Sequence, residues 1–132
     1  MPADILIVDD YEDNRELLRL MLEGAGHSVR EAGSGQAGLQ MALEEAPGLI
    51  LVDLSMPGLD GWGVLRALRA DERTRDIPCA AVTAFDDGER DNALAQGFDA
   101  YLPKPYHKPE LLETVERLLA RGRERGGTTS AG

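Results

Sequence analysis

Five polar side chains follow directly on apolar runs, and their types decide what chemistry this chain could perform. Val8 is followed by Asp9 and Asp10, Val52 by Asp53, Val82 by Thr83, and Leu102 by Pro103 and Lys104. Three carboxylates gathered about 5 Å apart would repel by about 3 kcal/mol per pair at an effective dielectric near 20, so their convergence implies a cation. Oxygen donors without His or Cys select a hard divalent ion, and an incomplete shell open to water and phosphate suits Mg2+ better than calcium. Lys104 adds a mobile point charge able to meet a phosphate oxygen, and Thr83 adds a hydroxyl donor. A carboxylate, a metal, a cation and a hydroxyl around one small anion make a phosphoryl-transfer site with an aspartate as nucleophile.

Each residue taken alone has a plainer reading. Asp9 and Asp10 suit the N-terminus of a helix, and Asp53-Leu54-Ser55-Met56-Pro57-Gly58 suits a turn. Thr83 is an ordinary strand residue, and a lysine before a proline is an ordinary solvated loop charge. These plain readings would need four unrelated accidents at the same end of one sheet.

The sequence around them predicts that sheet. Short apolar runs alternate with helical periodicity five times, the mark of an α/β chain. Strands are predicted at Ile5–Val8, His27–Ala32, Leu49–Val52, Pro78–Val82 and Ala100–Leu102, the second of them at an edge. Helices are predicted over Glu12–Gly24, from the N-cap Ser34 to before Pro47, over Gly61–Ala70, over Glu89–Gln96 with Gly97 as its stop, and after the Pro105 turn. In the first helix Leu17, Leu18, Met21, Leu22 and Ala25 mark the apolar face; in the last, Leu111, Leu112, Val115, Leu118 and Leu119 do so. Strands that are apolar at every position need cover on both faces, which parallel sheets receive from crossover helices. The expected fold is therefore a doubly wound five-stranded parallel sheet of order 2-1-3-4-5, (βα)5 and flavodoxin-like, whose ligand crevice lies between strands one and three.

Composition narrows the partners. At 132 residues the chain suits one domain with a core of its own, and its net charge of −10 repels nucleic acid and anionic lipid. The single Cys79, read as a buried strand residue, permits no internal disulfide, and with His27 and His107 alone a zinc cluster of usual spacing cannot be assembled. The N-terminus lacks a basic region, and its apolar run is too short for a signal or a spanning helix, so a cytoplasmic setting is expected. Residues 121–132 hold four glycines, three arginines and no large apolar side chain, and are expected to form a disordered tail after a domain ending at residue 120.

Residues 4 to 120 resemble the receiver domain of two-component response regulators. The resemblance rests on Ile5-Leu6-Ile7-Val8-Asp9-Asp10, on Asp53-Leu54-Ser55-Met56-Pro57 with Asp60-Gly61, on Val82-Thr83-Ala84, and on Ala100-Tyr101-Leu102-Pro103-Lys104-Pro105, in matching order and spacing. It implies that Asp53 accepts phosphate from a histidine of a sensor histidine kinase or histidine phosphotransfer protein. Mg2+ would be held by Asp9, Asp10, Asp53 and the main-chain carbonyl of Ser55, and Lys104 would pair with the phosphoryl group across a cis Lys104–Pro105 bond. Thr83 would swing onto a phosphoryl oxygen, vacating space for Tyr101, whose resting role is that of a half-buried strand aromatic.

Tyr106 takes a place often held by phenylalanine. With nothing after helix five but the tail, the chain resembles a single-domain regulator, monomeric or weakly dimeric. Such a protein slowly dephosphorylates itself and signals to a downstream protein target, by phosphorelay or by docking through strand five and helices four and five. A haloacid-dehalogenase-type aspartyl phosphatase would need a second aspartate where Ser55 stands. A flavin or nucleotide binder would need a phosphate-cradling loop where Asp9-Asp10-Tyr11-Glu12-Asp13 stands. A magnesium-dependent phosphatase or a structural scaffold of the same fold remains the rival.

Overall fold

The computed structural model describes residues 3–84 and 89–131, with side chains as far as Gly122. Strands β1 (Asp4–Val8), β2 (Ser28–Ala32), β3 (Leu49–Val52), β4 (Cys79–Thr83) and β5 (Ala100–Pro103) alternate with helices α1 (Glu12–Gly24), α2 (Gly35–Glu44), α3 (Gly61–Arg69), α4 (Arg90–Gln96) and α5 (Lys108–Ala131). The strands form one parallel sheet of order β2-β1-β3-β4-β5, the order expected.

Alternation along the strands divides the core in two. Leu6, Val8, Ile50, Val52, Cys79 and Ala81 face α2, α3 and α4, which contribute Ala42, Val64, Leu65, Leu68 and Ala93. Ile5, Ile7, Leu49, Leu51, Ala80 and Val82 face α1 and α5, which contribute Leu18, Leu22, Leu111, Val115, Leu118 and Leu119. Helices α2 and α3 begin where polar side chains cap them: Ser34 Oγ accepts from Ala37 N at 3.1 Å, and Asp60 Oδ1 accepts from Gly63 N at 2.9 Å. Gly97, at φ +119°, ends α4 in the left-handed conformation that a side chain would resist. Among the described residues no helix is long and apolar enough to cross a membrane.

One expectation needs correction. Leu17 does not belong to the buried face of α1: it is 48% exposed, and Ala25 is exposed too, while Leu18 and Leu22 are buried. Successive helical residues lie about 100° apart, and α1 packs toward the β2 edge, so one flank of its apolar arc faces solvent.

The expected domain boundary at residue 120 falls within α5. There α5 continues to Ala131, and its first residues past 120 are tied down. Arg121 Nη2 lies 3.5 Å from Asp99 Oδ1, and a Cβ on Gly122 would stand 2.9 Å from Pro78 Cγ, so glycine permits a close approach. The side chains of Arg123 and Arg125 lie outside the described residues.

Candidate functional site

Register brings the acids together. Val8 of β1 lies opposite Val52 of β3, so the residues that follow, Asp9 and Asp53, leave the sheet side by side, with Asp53 N donating to Val8 O at 3.0 Å. The carboxylates of Asp9, Asp10 and Asp53 each offer an oxygen, all within 4.8 Å of one another. Asp9 is buried, Asp53 is 9% exposed, and Asp10 is open to solvent. Lys104 Nζ sits between the two inner acids, 3.2 Å from Asp9 Oδ2 and 3.2 Å from Asp53 Oδ2.

The remaining carboxylate oxygens of the inner pair are held by main chain. Asp9 Oδ1 accepts from Tyr11 N, and Asp53 Oδ1 from Ser55 N, each at 2.9 Å. Lys104 is held in turn through its own amide, which donates to Thr83 O at 2.8 Å, and its bond to Pro105 is cis, as expected. Three carboxylates against this one ammonium leave two formal negative charges on an all-oxygen donor set, which fits a hard divalent cation.

Thr83 closes β4 and is fully buried, paired in register with Pro103, the residue before Lys104. Tyr101 pairs with Ala81, two residues before Thr83, so the hydroxyl-bearing side chain and the aromatic belong to the same face of the sheet. Tyr101 is more deeply buried than expected, at 5% exposure, and the Arg90 guanidinium lies 5.9 Å from its ring centroid. Ser55 is exposed and meets the site through its amide. Tyr106 is partly buried against the α1/α5 layer; that burial, and secondarily the Asp9 carboxylate, pushes its hydroxyl up to about 12.

The structure adds two residues whose part at the site the sequence had not disclosed. Gly61 begins α3 against the phosphoacceptor candidate itself: a Cβ there would collide with the main-chain O of Asp53 and come within 2.8 Å of Leu54 Cα. A glycine directly after the N-cap Asp60 was the available signal. Arg15, on α1, donates from Nη1 to the main-chain O of Asp9 at 2.8 Å. No local pattern marks it, because its other partner, Glu31, comes from β2.

The model of the response regulator receiver domain matches residues 5–116. The chain belongs to that family. Among relatives of this receiver, the polar-differentiation response regulator DivK of Brucella anthropi is 36% identical over 120 residues, covering 90% of this chain and 98% of its own. The receiver domain of a sensor histidine kinase from Pseudomonas aeruginosa, solved with a magnesium ion coordinated in its active-site cleft, superposes with a TM-score of 0.83 at 32% identity, over 91% of this chain and 99% of its own. The chemotaxis protein CheY4 of Vibrio cholerae superposes with a TM-score of 0.82 at 27% identity, over 89% of this chain and 99% of its own. The acidic trio of this receiver thus lies at the carboxyl ends of β1 and β3, beside the switch point of a flavodoxin-like sheet.

Proposed function

We propose that this receiver takes a phosphoryl group onto Asp53 from a phosphohistidine of a sensor kinase or phosphotransfer protein. The observation that carries this reading is the lysine shared between Asp9 and Asp53, a cation already placed where phosphoryl oxygens would arrive. A carboxylate oxygen of Asp53 attacks phosphorus as the P–N bond to the donor imidazole breaks. The electron pair leaves on that nitrogen, which then takes a proton.

Asp9, Asp10, Asp53 and the Ser55 carbonyl would hold Mg2+, which when bound neutralises the carboxylates and the incoming phosphoryl oxygens. Lys104 then gives up its bridge between the two acids to pair with a phosphoryl oxygen. Thr83 donates its hydroxyl to another, and Tyr101 moves into the space that Thr83 leaves. Tyr101 and Arg90 line a groove of about 340 Å³ on the α4–β5–α5 side, with Glu110, Glu113 and Arg117, and that face is the output surface for a downstream protein target.

The match along nearly the whole of DivK, a response regulator, supports a regulator that works by docking or phosphorelay. The acyl phosphate on Asp53 is open to water at the exposed Asp10 and Ser55, which gives slow self-dephosphorylation. Incubation with Mg2+ and a small acyl phosphate, followed by mass measurement, tests the reading. One phosphoryl increment is expected in the wild type, and none in Asp53→Ala or in excess chelator. An increment that survives either change would overturn the assignment.

A further inference from the structure

All the polar atoms of Asp9 are engaged, and one of them is held from outside the acidic pocket. Its amide donates to Ala32 O at 3.1 Å, while its two carboxylate oxygens take Tyr11 N at 2.9 Å and Lys104 Nζ at 3.2 Å. The fourth atom, its main-chain O, accepts from Arg15 Nη1 at 2.8 Å. Arg15 is itself fixed. Its Nε donates to Glu31 Oε1 at 3.2 Å, and the other oxygen of Glu31 takes Arg19 Nη1 at 3.0 Å. The guanidinium passes beside Gly33, where a Cβ would lie 3.4 Å from Nη1. The side chain is 18% exposed, so this is a lodged group rather than a solvated surface charge.

We propose that Arg15 is a positioning residue for the metal site. It anchors the turn between β1 and α1, so that Asp9 and Asp10 meet Asp53 in a geometry ready for Mg2+, and Glu31 on the edge strand holds Arg15 in place. The inference rests on the reading of the acidic pocket as a Mg2+ site. Main-chain capture is what makes the arginine's fork matter: one arm holds the edge strand while another holds the turn, which a single ammonium cannot do. Residues that orient ligands from behind typically contribute 10- to 100-fold in metal affinity.

Charge and positioning predict opposite signs, which makes the idea testable. If Arg15 acted only through its positive charge, removing it would tighten Mg2+ binding to an acidic pocket; if it acts by holding the turn, removing it weakens binding. Titration calorimetry with Mg2+ alone, on the wild type, Arg15→Met and Arg15→Lys, should give a dissociation constant raised roughly tenfold in both variants. The lysine variant keeps the charge but loses the fork.

In the metal-free proteins, amide exchange at Tyr11, whose N–H binds Asp9 Oδ1, should be faster in both variants. An unchanged or tighter Mg2+ constant in either variant that still melts cooperatively would overturn the proposal. If Arg15→Met fails to fold, Arg15→Lys decides. A wild type that binds no Mg2+ would instead overturn the reading of the pocket itself, while unchanged exchange at Tyr11 would overturn the anchoring role without reference to metal.

Discussion

Lys104 and Asp53 meet at 3.2 Å, and the same ammonium lies at 3.2 Å from Asp9, so one flexible cation compensates two enclosed carboxylates. In the metal-free protein Lys104 therefore does electrostatic work that a divalent ion could share. Lys104→Ala should melt well below the wild type in chelator, and much of that loss should return in Mg2+. For a site saturated to ten times its dissociation constant, binding contributes about 1.4 kcal/mol, enough to resolve by calorimetric melting. Equal losses with and without Mg2+ would mean that the lysine is not standing in for a cation.

Thr83 is fully buried beneath the proposed output surface. Thr83→Ala should still accept phosphate at Asp53 while losing most of the phosphorylation-dependent gain in affinity for a partner, measured by calorimetry with a stable phosphoryl mimic. A phosphoryl group can shift a two-state equilibrium only by its differential affinity, and a change from about 1:99 to 99:1 needs roughly 5.5 kcal/mol. Equal gains in wild type and mutant would show that the switch lies elsewhere.

Gly61 packs its Cα against the main chain of Asp53 and Leu54. Gly61→Ala sets a methyl group against backbone rather than against a yielding side chain, so the start of α3 or the Asp53 turn must move. Overpacking of this kind costs about 1–3 kcal/mol. Chemical denaturation should show that loss, and phosphorylation should slow along with it. A variant as stable and as reactive as the wild type would contradict the close approach.

Tyr106 carries a pH signature. Its hydroxyl is held up at about 12 by burial and by Asp9, above the ordinary value of 10.0. The folded state therefore keeps a proton that the unfolded state has released between those values, and stability falls as pH rises through that window. The contribution is fully present below pH 10. Tyr106→Phe should show a shallower loss of stability from about pH 10 to 12, and the phenolate absorbance that develops near pH 12 should shrink. Equally steep losses of stability in the wild type and Tyr106→Phe over that window would refute the shift.

The sequence alone disclosed the order and type of the elements, because their signals are local. Alternating apolar runs, the cap Ser34 and the stop at Gly97 act on neighbours a few residues away and need no knowledge of the rest of the chain. The polar residues at the strand ends were legible for the same reason, since a parallel sheet puts all its carboxyl ends on one side. Tertiary structure decided everything that depends on which segments meet. Lys104 reaches Asp9 across 95 residues of chain, and only the registers of β1, β3, β4 and β5 set the distances between them. Leu17 looked buried because periodicity marks an apolar arc without saying how much of it the sheet covers. Arg15 bears no local mark, because the carbonyl it holds, that of Asp9, follows β1 and the carboxylate it meets, that of Glu31, lies on β2. Periodicity is a property of the chain; a contact is a property of two segments, and exists only once the sheet has paired them.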